Sequence, residues 1–199
     1  DAQPDLRKAI DLIFEQIEGL SEVVLWGLCD AASISMIYAH SDPRVRGLVL
    51  LNPWVRTDAG LAKTYLRHYY ASNLLSRDFW RRMFSGRFEW RRAASEFVAN
   101  VRSAFTGGRK SNGASGVPFT ELMKTGLQEF DGQALFILSG DDLTAAEFKD
   151  HVDASEEWRR LINGPRVRRI DFPDANHTFS RREWRAQVSE WTAELVNSL

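Results

Sequence analysis

Val23-Val24-Leu25-Trp26-Gly27-Leu28-Cys29-Asp30-Ala31-Ala32-Ser33 is the stretch that decides the fold of this 199-residue chain. An apolar, β-branched run reads as a buried strand. It ends at Gly27, two residues before the only cysteine, and a run of small residues then opens a helix. Such a sharp strand-to-helix turn holds its central residue in a strained conformation, so its neighbours must be small where strand and helix approach. The first free N–H groups of the helix face the central side chain. For a cysteine they favour thiolate over thiol. The plainer reading of Cys29 is a buried structural thiol at a strand end. The rest of the chain weighs between the two.

Working outward, the strand, turn and helix are followed by a second buried strand, Val45 to Leu51, after the break at Ser41-Asp42-Pro43. This βαβ unit predicts a parallel sheet with helices on its faces. Upstream, Leu6, Ile10, Ile13 and Ile17 follow Pro4 at helical spacing, and Gly19 is placed to end that helix. From residue 57 to 130 the alternation stops. Aromatics such as Tyr65, Tyr69, Phe79, Trp80, Phe84 and Trp90 crowd an arginine-rich, helix-prone segment, followed by a Gly/Ser-rich stretch, 107–116, and a short helix after Pro118. An insertion of this size between two core strands reads as a cap over a site. The expected organisation is a core formed by 1–56 and 131–199, with a helical cap at 57–130.

The sheet resumes at Ala134-Leu135-Phe136-Ile137-Leu138-Ser139, and Asp141 and Asp142 stand just past its carboxyl end, where parallel sheets carry their active sites. Arg166 to Phe172 reads as a last, more exposed strand. The loop Pro173-Asp174-Ala175-Asn176-His177 then presents a histidine. The closing helix carries Trp184, Val188, Trp191 and Leu195 as a core-packing stripe.

Cys29, then Asp141 or Asp142, then His177 is the order nucleophile, acid, histidine, each after a strand. That is the chain order of the α/β-hydrolase triad, with Gly27-Leu28-Cys29-Asp30-Ala31 as a variant of its G-x-S-x-G elbow. The histidine would take the thiol proton and the carboxylate would orient the imidazole. Asp30, one residue past the strained position, is a poor rival nucleophile, but its backbone N–H is the natural oxyanion donor. His40 and His68 read as solvated or capping residues and His151 as a surface residue. No histidine pair has metal-site spacing, so no metal and no cofactor is expected.

Gly27-Leu28-Cys29-Asp30-Ala31-Ala32-Ser33, Leu51-Asn52-Pro53-Trp54, Leu138-Ser139-Gly140-Asp141-Asp142-Leu143-Thr144-Ala145 and Asn176-His177-Thr178-Phe179 together resemble the exosortase A system-associated hydrolase 1 family, bacterial α/β-hydrolases found with exopolysaccharide synthesis and exosortase sorting. The resemblance runs from the first helix to the end of the chain. It implies cysteine as nucleophile and a cap after the second strand. Of the two candidate acids it favours Asp142, with Asp141 as runner-up. It names no substrate.

The function expected is cleavage of an ester or thioester through an acyl-enzyme on Cys29, acting on a small-molecule acyl substrate. The alternatives are an acyltransferase using the same cysteine, and a non-catalytic partner of a polysaccharide or sorting assembly. Composition is ordinary for a globular protein, with 44% hydrophobic and 27% charged residues and a net charge of −1, which argues against nucleic-acid binding. No apolar run reaches membrane-spanning length and no signal peptide is visible, so a cytoplasmic location is expected. A complete α/β-hydrolase has several strands before its elbow, and this chain shows one, begins with Asp and has no glycine-rich turn upstream. It is therefore expected to be the C-terminal part of a longer protein lacking roughly the first quarter, with an open sheet edge inviting oligomerisation.

Overall fold

Four apolar runs pair side by side in the computed structural model, which describes residues 2–55 and 116–199. They are β1 (Val23–Leu28), β2 (Val45–Leu51), β3 (Gln133–Asp141) and β4 (Val167–Asn176), and they form one sheet in the order β1-β2-β3-β4. All three pairings are parallel, so every strand delivers its carboxyl end to the same edge. Among the described residues six α-helices flank them: α1 (Gln3–Gln16), α2 (Asp30–Tyr38), α3 (Phe119–Glu129), α4 (Leu143–Ala154), α5 (Glu156–Ile162) and α6 (Arg182–Val196).

The strands are continuous apolar runs because both faces of the sheet are covered. Leu48 and Leu50 of β2 and Ala134, Phe136 and Leu138 of β3 turn to one face, against Met36 and Tyr38 of α2, Met123 and Leu127 of α3, and Phe148 of α4. The residues between them, Val49, Leu51, Leu135 and Ile137, turn to the other face, where Val188 and Leu195 of α6 meet them. This is the two-residue period of a strand acting on two cores. Each fully buried Leu, Ile or Phe contributes about 1.5–3 kcal/mol. Trp184 and Trp191 complete the α6 stripe against the second core, as its spacing predicts.

Two readings change. The expected α1 stripe is shifted: Ile10 is buried with Leu6 and Phe14 packed beside it, while Ile13 and Ile17 are 42% and 51% exposed. The helix rotates to a strict four-residue row, and Gly19 takes φ +80° in the turn beyond. The second change concerns the cap. Its stretch 57–115 lies outside the described residues, and only its end, the helix after Pro118, is described. As α3, it packs on α2 within the first core, and a Cβ on Gly126 would stand 2.3 Å from the Met36 carbonyl oxygen. That close backbone approach anchors 119–129 to the sheet layer.

At the opposite edge from the strand carboxyl ends, buried Asp42 accepts hydrogen bonds from Tyr38 (2.7 Å) and from the Arg44 guanidinium (2.9 and 2.7 Å). Arg44 holds the Asp42 carboxyl well below the usual carboxylate range. The Tyr38 hydroxyl also lowers it, whereas burial opposes the shift. Tyr38 itself is pushed up to about 12, first by burial and then by its bond to Asp42. Among the described residues no helix is long and apolar enough to cross a membrane. β1 lies at one edge of the described sheet, with Trp26 51% exposed beside an open cleft of about 480 Å³ against α6.

Candidate active site

Cys29 stands at the junction of β1 and α2 with φ +60° and ψ −120°, a backbone region that costs on the order of 1–3 kcal/mol for a residue with a side chain. The surroundings hold it there. Its N–H continues the ladder to Leu51 O (2.9 Å), and its carbonyl receives the N–H of Ser33 (3.2 Å) and of Trp54 (3.3 Å). Ser33 Oγ also donates toward the Cys29 and Trp54 carbonyls (3.2 and 2.9 Å) and accepts from the Trp54 N–H (2.9 Å). The small residues of the motif are explained by contact distances. A Cβ on Gly27 would lie 2.6 Å from both the Ala31 carbonyl carbon and the Ala32 nitrogen.

Asp142 follows β3 and is the N-cap of α4. Its Oδ1 accepts from the Thr144 N–H at 3.3 Å and its Oδ2 from the Ala145 N–H at 3.0 Å. The side chain is 7% exposed. His177 follows β4, and its Nδ1 lies 2.9 Å from Asp142 Oδ2. The ring makes no linear hydrogen bond through that atom, so the pair meets at ion-pairing distance with the N–H off the line. Catalytic contacts are often this loosely aligned before substrate binds. Asp142 rather than Asp141 therefore meets the histidine. Asp141 is exposed, and its backbone pairs with Asn176 in the last step of the β3–β4 register.

The electrostatics of Cys29 depart from the sequence expectation. Burial pushes the thiol above its ordinary value. The Asp30 backbone N–H draws it down, and the negative charges of Asp30 and Asp142 add to the upward shift. One N–H from a helix start is outweighed by desolvation and two carboxylates, so the thiol is shifted up rather than down. Asp30 carries its carboxylate back onto the Ala31 N–H (2.9 Å) at the helix start, which occupies it as a cap rather than as a nucleophile.

Sequence reasoning assigns no role to Asn52, Ser139 or Ser33. Asn52 is fully buried at φ +44° and joins the carboxyl end of β2 to that of β3 and to the histidine loop. A polar residue directly after a buried strand was the available signal. Ser139 is hidden at the end of an apolar run. His40 pairs with Glu129 (Nδ1–Oε2 3.3 Å). His151 is not a surface residue: one turn from Phe148 on α4, its ring packs edge-on against Trp158 with centroids 5.5 Å apart, and burial lowers its pKa. His68 lies outside the described residues. Among the described residues no group of three or more His, Cys, Asp or Glu side chains is arranged to hold a metal ion.

No family model matches the chain, and no curated protein matches it in sequence. Solved structures do match it in fold. An esterase of Pyrococcus furiosus superposes with a TM-score of 0.57 at 14% identity, covering 98% of this chain and 60% of that one. An esterase of Rhizomucor miehei gives 0.54 at 16%, covering 98% and 59%. A 2,6-dihydroxy-pseudo-oxynicotine hydrolase gives 0.54 at 13%, covering 100% and 47%. The chain thus spans about 60% of the length of the first two. At these identities the likeness is one of fold, and with the parallel sheet and its flanking helices it defines the α/β-hydrolase fold.

Proposed function

We propose that this chain carries the catalytic apparatus of a cysteine hydrolase that cleaves an ester or thioester through Cys29, His177 and Asp142. One observation supports the reading above all. A cysteine held at φ +60° and a histidine 2.9 Å from a carboxylate both follow strands that end at the same edge of one parallel sheet. A half-buried thiol whose pKa is raised needs a base, and an imidazole with a carboxylate beside it is suited to that role.

In the proposed cycle, His177 takes the Cys29 proton as Sγ bonds to the acyl carbon. The carbonyl electron pair moves onto oxygen, where the Asp30 N–H can donate to it. Collapse restores the carbonyl and breaks the bond to the leaving alcohol or thiol, which receives the proton from His177. Water then attacks the acyl-enzyme and gives its proton to His177. The Sγ–carbon bond breaks, sulfur recovers the proton, and the acid departs. Asp142 keeps the ring oriented and balances its charge throughout. An acceptor other than water in the second half gives acyl transfer by the same residues.

The quoted motifs support a setting in bacterial exopolysaccharide or exosortase systems, and the aromatic content of residues 57–115 fits an apolar or sugar-linked acyl group. The experiment is a panel of p-nitrophenyl esters and acyl thioesters of graded chain length, assayed with Cys29→Ala and His177→Ala in parallel. The reading predicts chain-length-dependent release that both substitutions abolish. Release that survives Cys29→Ala contradicts it.

A further inference from the structure

We infer that Asn52 is a positioning residue for His177, an inference that rests on the reading of His177 as general base. Asn52 is 0% exposed and Ser139 1% exposed. The Asn52 amide oxygen accepts from the Ser139 N–H at 2.8 Å. Its Nδ2 donates to Ser139 Oγ at 2.8 Å and to the His177 carbonyl at 3.0 Å. Ser139 Oγ in turn donates to the Asn176 carbonyl at 2.9 Å. Two successive carbonyls of the histidine loop, those of residues 176 and 177, are thereby tied to one buried polar pair at the carboxyl ends of β2 and β3.

The rest of the loop closes locally. Asn176 Oδ1 accepts from the Ser180 N–H (3.0 Å), Asn176 Nδ2 donates to Ser180 Oγ (2.7 Å), and Phe179 takes φ +50°. The loop is therefore a small rigid body with two outside anchors. Its backbone is held by Asn52 and Ser139, and its ring stands 2.9 Å from Asp142. Rigid-body tilt about either anchor would change the distance of the ring Nδ1 from Asp142 Oδ2.

The chemistry selects asparagine at position 52. One group must accept from a backbone N–H and donate to two oxygens, which an amide does and a carboxylate cannot. The residue must also tolerate φ +44°, which asparagine does more readily than most residues with a side chain. The Asn52 N–H closes onto Ile137 O (3.1 Å), so its backbone is fixed in the same frame.

The test measures p-nitrophenyl acetate turnover for the parent, Asn52→Ala, and Ile162→Val as a core control remote from the site. Asn52→Ala should lower kcat by about 10- to 100-fold with KM little changed, the cost of misplacing a reacting group by about an ångström. It should also shift the acidic limb of the pH–rate profile. Ile162→Val should lose stability without either effect. If Asn52→Ala is destabilised yet keeps the parent kcat and pH profile, Asn52 only supports the fold and the inference is overturned.

Parallel Cys29→Ala and His177→Ala variants separate the two readings. If these remain active, the catalytic reading fails; if they are inactive while Asn52→Ala matches the parent, the positioning inference alone fails. Should Asn52→Ala not fold, Ser139→Ala decides, because it removes the hydroxyl that joins Asn52 to the Asn176 carbonyl. It should lower kcat with KM little changed, and a parent kcat and pH profile in that variant overturns the proposal.

Discussion

Asp142 Oδ2 lies 2.9 Å from His177 Nδ1 and also accepts the Ala145 N–H at 3.0 Å. One carboxylate thus caps a helix and stands at ion-pairing distance from an imidazole, which it would orient in the proposed mechanism. The two tasks respond differently to substitution. Asp142→Asn keeps a good cap and removes the charge, so stability should change little while acylation of Cys29 falls by about 10²–10⁴-fold. Asp142→Ala should lose the same activity and, in addition, about 0.5–2 kcal/mol of stability. Thermal unfolding alongside single-turnover kinetics checks both. An Asn variant as active as the parent would remove Asp142 from the catalytic account.

Gly27→Ala should destabilise the chain by about 1–3 kcal/mol or more, because the added methyl would sit 2.6 Å from the backbone of Ala31 and Ala32. The contacts are backbone on both sides, so no side chain can swing aside. Urea unfolding reads the effect; an unchanged midpoint would mean that the elbow is looser than described.

Cys29 should titrate above the ordinary thiol range, because burial outweighs the Asp30 N–H and the two carboxylates add to burial. Iodoacetamide alkylation should therefore keep accelerating beyond about pH 8.5, the free-thiol value. The linked stability follows the same sign. The folded value is raised, so the contribution is complete below the unfolded value and is lost as pH rises through the folded one. A rate plateau near neutral pH would show a preformed thiolate and contradict the electrostatic account.

Asp42 works in the opposite direction. Its folded value is depressed, above all by Arg44, so its contribution is present above the unfolded value of about 4 and disappears as pH falls toward the folded one. Asp42→Asn should cost about 1–3 kcal/mol at pH 7 and flatten the loss of stability below pH 4. Guanidinium unfolding from pH 7 to 2 measures this. A variant with the parent's acid sensitivity would assign that sensitivity to other carboxylates.

What the sequence made legible is what depends on local pattern. The elbow was readable because strand, glycine, cysteine and small residues are contiguous, and the strand ends because buried runs stop at polar residues. The choice of Asp142 over Asp141 came from a resemblance, and its physical basis, an N-cap within reach of His177, needs the fold. Asn52 was illegible for a related reason. Its partners lie 87 and 125 residues away, and no periodicity reports contacts at that separation. The sign of the Cys29 shift is not legible because a helix start is visible in sequence whereas desolvation is not. The packing of 119–129 on α2 is not legible because an amphipathic helix after a long insertion reads equally as cap or as core, whereas burial of Met123 and Leu127 and the Gly126–Met36 approach are contacts of the fold.

The central claim is that Cys29 carries an acyl group delivered with the help of His177. Rapid mixing with a p-nitrophenyl ester, acid quenching and mass spectrometry of the digested protein tests it most directly. The account predicts an acyl mass on the peptide containing Cys29, formed with nitrophenol release and reduced at least about 100-fold in rate by His177→Ala. Nitrophenol release with no adduct on Cys29, or an adduct formed equally fast without His177, would contradict it.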